Sequence, residues 1–439
     1  MTRKIKLACI LGHDPTHHVV GAWSLPRSLV GYDYARPELW EQIGRTLERG
    51  RFDMVFFADS NNLHDTYQDS PDATIRYAVQ CPKHDPMPLV PIVARATRHI
   101  GIAATFSTTY SHPYYLARLM GTLDHLTEGR VGWNVVTSYG ANEAANFGFE
   151  STLTHEQRYE RADEYMEVCY KLWTSWEADA IVMDRETRQF ADASKVHRIN
   201  HSGPHFRSRG PLTVPRSPQG RPVIIQAGAS EVGMAFAGKH AEVHFASRGS
   251  IAGMKDHARS LAEAARRAGR EPDAVKILWA TTAIIADTEA EARAKEARIR
   301  AAVPWEGALA LMSAHLGCDF SRVPVDEPIR NLGLEQTEAV QGNARMLVRD
   351  YGDATLREAA MIYGNAIGGF RIIGTAKQVA DKLEEAMDHA GGAGFMFRPA
   401  ELPGSIEELV DYLTPELQAR GRLRTTYEGK TLREHIEQI

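Results

Sequence analysis

Apolar residues along the chain alternate between two spacings. Short, nearly continuous apolar runs fit buried strands and fall at 5–11, 54–58, 100–106, 131–136, 222–226, 243–246, 275–286 and 394–397. Between them, apolar positions recur every three or four residues, the pattern of helices with one buried face. These stretches are 37–49, 87–98, 113–126, 156–176, 230–239, 253–268, 289–302 and 376–389. Eight strands, each paired with a helix, predict an α/β fold: a single (β/α)8 TIM barrel over residues 1–439. Two long insertions break the rhythm, at about 177–221 and 303–371. Neither shows enough apolar periodicity for a core of its own, and loops of this length tend to be lids or walls of a site. Both are expected to wall a pocket.

The stretch from 100 to 138 carries the most information. Its first strand runs into the hydroxyls of Thr105, Ser107 and Thr108. His112-Pro113 then opens a helix, with proline where a missing N–H costs nothing. Leu116, Leu119, Met120, Leu123 and Leu126 mark its buried face, and Glu128-Gly129-Arg130 closes it. The next strand ends in Asn134, Thr137 and Ser138. Strand, helix, strand is a right-handed parallel crossover, and such units gather functional groups at the C-terminal ends of their strands. One polar strand end means little, because Thr favours strands and Ser and Asn favour loops. Two adjacent ends of the same character predict a small-molecule pocket.

Composition removes several classes. A net charge of −5 leaves no electrostatic footprint for nucleic acid or an anionic membrane surface. The four cysteines, at 9, 81, 169 and 318, form no C-x-x-C pair, which fits a reducing cytoplasm and excludes a disulfide framework. No apolar run reaches membrane-spanning length.

Candidate chemistry lies at predicted strand ends. No phosphate loop of the G-x-x-x-x-G-K-[ST] type and no G-x-G-x-x-G after a strand is present, so no nicotinamide site is expected. Gln226-Ala227-Gly228-Ala229-Ser230 reads as a strand, a turn of small residues and a capped helix start, which can bind an anion or simply cap. Asp59 closes the second strand and could cap the following loop. His13, Asp14, His17 and His18 follow the first strand; adjacent His17 and His18 cannot easily face one ion, so no metal is expected.

The motifs Phe57-Ala58-Asp59, Ser107-Thr108-Thr109-Tyr110, Thr122-Leu123-Asp124, Trp133-Asn134-Val135-Val136-Thr137-Ser138, Asn146-Phe147-Gly148 and Ser217-Pro218-Gln219 carry a resemblance. With His155, Arg158-Tyr159 and Leu402-Pro403-Gly404-Ser405, the chain resembles the bacterial-luciferase-like flavin monooxygenases nearly end to end. The subgroup is that of nitrilotriacetate, EDTA, dibenzothiophene-sulfone and long-chain-alkane monooxygenases. The resemblance implies a cytoplasmic two-component enzyme that uses reduced FMN and O2 to oxygenate a small organic molecule. That substrate would be an aminopolycarboxylate, organosulfur compound, haloaromatic or alkane. A separate NAD(P)H:flavin reductase would supply the flavin, and the chain would form a homodimer or homotetramer.

The same resemblance places Asp59 beside the flavin ring, within a cofactor wall that includes Thr105, Asn134 and Ser138. It puts the FMN phosphate at Gly228, Ala229 and Ser230, with His155, Arg158 and Tyr159 close by. His17 or His18 would be the catalytic hydrogen-bond or proton donor at the flavin. The substrate pocket would hold His64, Gln80, Tyr139 and His315. The alkane enzymes carry Cys, Tyr and His where this chain has Asp14, His64 and Tyr139, which counts against an alkane; Gln80 and His315 match. Two other readings stay open on this fold: hydride transfer with a deazaflavin, and flavin binding without catalysis.

Overall fold

Alternation along the strands sorts the apolar residues into two layers. In the computed structural model, which describes residues 3–15, 18–28, 31–334 and 341–437, eight parallel strands close into a ring. They are β1 (Lys6–Gly12), β2 (Met54–Ala58), β3 (Gly101–Ser107), β4 (Val131–Val136), β5 (Val223–Gln226), β6 (Val243–Ala246), β7 (Lys276–Ile285) and β8 (Gly394–Phe397). Each pairs with the next, and β8 pairs back onto β1 through Lys6↔Gly394 to Cys9↔Phe397. Ala8, Ile10, Met54, Phe56, Val243, Phe245, Leu278 and Ala280 fill the ring. The residues between them, such as Cys9, Val55, Phe57, Trp133 and Trp279, pack outward against helices. Period-two alternation within each strand produces both layers.

Eight helices follow the strands: α1 (Pro37–Arg49), α2 (Leu89–Ala96), α3 (Pro113–Leu126), α4 (His155–Trp173), α5 (Glu231–His240), α6 (Ile251–Arg267), α7 (Glu289–Ala301) and α8 (Ala376–Ala390). Their starts are fixed by local chemistry. Thr154, Thr288 and Thr375 form reciprocal capping boxes with Gln157, Glu291 and Gln378, while Ser230 and Ser250 cap α5 and α6. None of the described helices is long and apolar enough to cross a membrane.

The insertions differ from expectation. Residues 303–371 include the helices Trp305–Leu316, Gln341–Tyr351 and Leu356–Gly364. Leu309, Leu311, Met312, Leu347, Leu356 and Tyr363 form a second apolar cluster with Val19, Val20 and Ile284. No single window shows this core, because its residues are spread over three short helices that meet only on folding. The strand Phe370–Gly374, which the sequence pattern does not single out, pairs with the upper half of β7 outside the ring. Residues 177–221 hold two short antiparallel ribbons, tied to the barrel where Glu164 accepts hydrogen bonds from His205 N (2.8 Å) and Phe206 N (3.0 Å).

The bottom of the barrel is sealed by the short helix Leu432–Glu437, which the sequence pattern does not reveal. Leu432 is fully buried within the inner cluster. Gly101 leaves room for it: a Cβ there would lie 2.3 Å from Leu432 Cδ1. Arg433 fastens the helix through Glu242 (2.6 Å) and the carbonyl of Gln219 (2.7 Å). Leu432→Ala is therefore expected to open a cavity at the barrel floor and lower stability by about 2–5 kcal/mol in urea unfolding. A loss under about 1 kcal/mol would show that the plug is not part of the core.

Candidate functional site

The C-terminal ends of the strands surround one cavity of about 400 Å3, ordinary for a cofactor or small-ligand site. Its floor is the top of the inner core: Ile10, Phe56, Phe245, Ala280 and Met396. His18, Asp59, His64, Gln80, Thr105, Asn134, Ser138, Tyr139, His155, Arg158, Tyr159, Gly228, Ala229, Ser230 and His315 all line it, whereas His13 and Asp14 do not. His17 lies outside the described residues. Among the insertions, His315 and Ile367 of 303–371 contribute, whereas no residue of 177–221 reaches the cavity. The expectation that both insertions wall the pocket holds only for the second, because the first wraps outside α3 and α4.

One wall is built on β2 to β5. Thr105 Oγ1 donates to the Phe57 carbonyl (3.0 Å) and accepts from Asn134 Nδ2 (3.0 Å). That bond orients the amide and leaves Asn134 Oδ1 buried without a hydrogen bond. Gln226 repeats the arrangement, with Nε2 directed at the Tyr159 hydroxyl (3.4 Å) and Oε1 buried and unpaired. Two buried acceptors in one cavity call for donors from a ligand, since an unsatisfied buried polar atom costs about 1–3 kcal/mol.

Beside them the Gly228–Ser230 turn lies tight against α4. A Cβ on Gly228 would sit 2.3 Å from Gln226 Nε2 and 2.6 Å from the Tyr159 hydroxyl, so a side chain there would displace both. Ser230 caps α5 by accepting from Gly233 N (3.1 Å), and its hydroxyl also meets His155 Nε2 at 3.1 Å. The free N–H groups of the first helical turn thus face the cavity end that carries Arg158.

The acids and bases are unevenly distributed. Burial pushes the Asp59 carboxyl up to about 6; Lys83 works against this, and Asp85 and Glu143 add to it. Glu143 accepts from Ser138 Oγ (3.0 Å) and Asn61 N (3.2 Å). Lys83 meets Asp14 at 3.9 Å and donates to Ser60 Oγ (3.1 Å). His64 is pushed down to about 4 by burial, helped by Lys83, so it is neutral and donates from Nε2 to Gln80 Oε1 (3.1 Å). Its ring meets His315 edge-on at 5.7 Å, and His315 Nδ1 meets the Tyr363 hydroxyl at 2.9 Å. His13 turns away from the cavity, its Nδ1 on the Asp85 carbonyl at 3.0 Å.

Sequence reasoning missed Lys83, Glu143, Arg248 and Arg398, all of which line the cavity. Lys83 and Glu143 sit in polar segments where charge usually means solvent. Arg398 directly follows β8, and that position at a barrel strand end was the available signal.

A family model described as luciferase-like monooxygenase matches residues 20–393. The chain is 38% identical to the dibenzothiophene-sulfone monooxygenase of Rhodococcus erythropolis over 99% of its own length and 96% of that protein. It is 37% identical to nitrilotriacetate monooxygenase component A of Aminobacter aminovorans, covering 95% and 93%. A solved riboflavin lyase, with modified FMN and the substrate riboflavin, superimposes with a TM-score of 0.92 at 32% identity, covering 99% of this chain and 96% of that one.

The raised Asp59 carboxyl has a consequence for stability. Unfolded, the group would titrate near about 3.9; folded, near about 6. Between those values the native state holds a proton that the unfolded chain has released, so stability falls as pH rises through the window. Asp59→Asn is expected to stabilise the ligand-free protein at pH 8 by on the order of 2 kcal/mol, with the gain vanishing below about pH 4. Unfolding curves at several pH values measure it; a gain independent of pH would contradict the assignment.

Proposed function

Because the chain belongs to the luciferase-like monooxygenase family and is a monooxygenase, we propose that it is the oxygenating half of a two-component system. It takes reduced FMN from a separate NAD(P)H:flavin reductase and oxygenates a small organic substrate with O2, as a cytoplasmic homodimer or homotetramer. The observation that carries this reading is the pair of buried, unpaired acceptors, Asn134 Oδ1 and Gln226 Oε1, beside a glycine turn at a helix start. The two features suit the polar ring edge and the phosphate of a flavin mononucleotide. The relatives' names support it: one is a component A, and one structural neighbour holds modified FMN.

The residues divide the work by position. Gly228, Ala229 and Ser230, with the first turn of α5 and Arg158, hold the phosphate, and Tyr159 closes over the turn. Asn134, Gln226, Thr105, Ser138 and Asp59 orient the ring. Bound reduced FMN supplies the electrons for oxygen activation. His18, which lines the cavity from the loop after β1, or His17 beside it, provides the proton or hydrogen bond at the reacting end. The apolar floor of Ile10, Phe56 and Met396 excludes water there.

Reduced FMN is expected to bind more tightly than oxidised FMN, as a cofactor shuttled from a reductase must. Ser230→Ala and Tyr159→Phe should each weaken FMN about tenfold, the worth of one hydrogen bond to a charged group. Anaerobic titration tests both statements. FMN that survives dialysis oxidised and is reduced directly by NADH would overturn the two-component reading.

His18→Ala should leave FMN affinity intact and divert oxygen to hydrogen peroxide, lowering product formation about 100-fold or more. His17→Ala is the companion variant. If both variants couple oxygen to product as the parent does, neither histidine acts at the flavin.

A further inference from the structure

Arg398 stands out among the charges lining the cavity. It is 8% exposed, and no acid acts on it; among the described residues only the Tyr363 phenol does. Burial lowers its guanidinium to about 10, so it stays a cation at neutral pH. Lys83 faces Asp14, and Arg248 spends its guanidinium on the Ser247 carbonyl and His257 Nδ1. Arg398 donates from Nη1 to the carbonyls of Ala366 (2.9 Å) and Gly368 (3.4 Å). Nε is buried without a hydrogen bond, and Nη2 has no partner among the described residues.

The backbone that holds it is strained. Ala366, Ile367, Gly368 and Gly369 are consecutive residues with φ of 75°, 60°, 68° and 92°. Alanine and especially β-branched isoleucine adopt such angles only when surrounding structure imposes them. Gly369 has no space for a side chain: a Cβ would lie 2.8 Å from Ser247 Oγ and 3.3 Å from Arg398 Nη1. A strained turn therefore aims its carbonyls at one edge of a buried cation and leaves the other edge without a hydrogen-bond partner among the described residues.

Position in the ring tells which ligand this edge faces. In the order β1 to β8, β8 lies four strands from β4 in either direction. Arg398, at the end of β8, is thus across the barrel mouth from Asn134 and Ser138. It sits on the side of His315 and Tyr363, and β5, which leads into the Gly228–Ser230 turn, is three strands away. A buried guanidinium without a counterion is costly unless an anion joins it, and its planar fork suits an oxyanion.

We propose that Arg398 is the anion-recognising residue of the substrate half of the cavity, and that the substrate carries a carboxylate or sulfonate. The proposal rests on the monooxygenase reading, which assigns the opposite wall to the cofactor. It narrows the substrate to molecules whose anionic group docks at β8 while an uncharged part extends over the apolar floor.

Calorimetric titration with phenylacetate, phenylmethanesulfonate and the neutral phenylacetamide tests it, on both cofactor-free and FMN-loaded protein. At least one anion should bind about tenfold or more tightly than the amide, the scale of a charge-assisted hydrogen bond. The two anions separate a planar carboxylate site from one shaped for sulfonate. Arg398→Met should abolish the preference while amide and FMN affinities hold, and Arg398→Lys should retain part of it. Equal binding of the amide and both anions by the parent protein, or no anion binding at millimolar concentration, overturns the proposal even if Arg398→Met does not fold. A preference that survives in Arg398→Met also overturns it, as does a fall in FMN affinity, which would place the guanidinium at the cofactor. If FMN fails to bind the parent protein, the flavin reading fails, and the anion preference is still scored on cofactor-free protein.

Discussion

Closing eight strands into a ring removes every sheet edge but leaves a cylinder that must be filled from within. Here the filling comes from two directions. Ala8, Met54, Val243 and Leu278 fill the ring from the strands, and Leu432 enters from below through the gap left by Gly101. Above them the inward positions change character: Ile10, Phe56 and Met396 still pack, but Thr105 and Asn134 on β3 and β4 are polar. The cavity begins where apolar filling stops. Its position follows from the same alternation that builds the barrel.

Electrostatics divides the mouth of that cylinder. Asp59 and Glu143 share one side with the Lys83–Asp14 pair, and burial there favours a protonated Asp59. Arg398, at the end of β8 and two strands from Asp59 on β2, marks a second side without an acid. A cofactor with hydrogen-bond donors on its ring fits the first side, where unpaired carbonyl oxygens wait. An acidic group fits the second. Under the proposed function, Asn134 on β4 and Arg398 on β8 lie four strands apart, so cofactor and substrate would not compete for these side chains.

The barrel was legible because each strand and helix carries its own period and punctuation. Thr154, Thr288 and Thr375 mark helix starts in sequence as they do in space. What escaped was non-local. The plug helix Leu432–Glu437 is too short to show amphipathic periodicity, and its role depends on glycines 300 or more positions earlier, at 101 and 132. The core of the second insertion draws on Val19 and Ile284, far away in the chain. Asp59, Thr105, Asn134 and Ser138 could be named from the sequence because each lies at or just past the end of a strand-like run, and the structure brings them to one cavity. Arg398 also follows a strand, but what sets it apart is the lack of an acidic neighbour, and a sequence does not show its neighbours.

That dependence on distant segments gives the Arg398 side of the cavity its rigidity. The loop after β1, which carries His18, is bonded to the end of the second insertion: Ala366 N donates to the His18 carbonyl (3.0 Å), and Val20 N donates to the Gly364 carbonyl (2.8 Å). The next residues form the strained turn that holds Arg398. Tyr363, one turn earlier, meets His315 from another helix of the same insertion. One helical cap therefore fixes the backbone at His18, the imidazole of His315 and the guanidinium of Arg398 together. The wall of β2 to β5 is built separately, from Thr105, Asn134 and the Gly228 turn. Changes within 303–371 can thus reshape one side of the cavity while the wall of β2 to β5 keeps its geometry, which under the proposed function would separate substrate choice from cofactor binding.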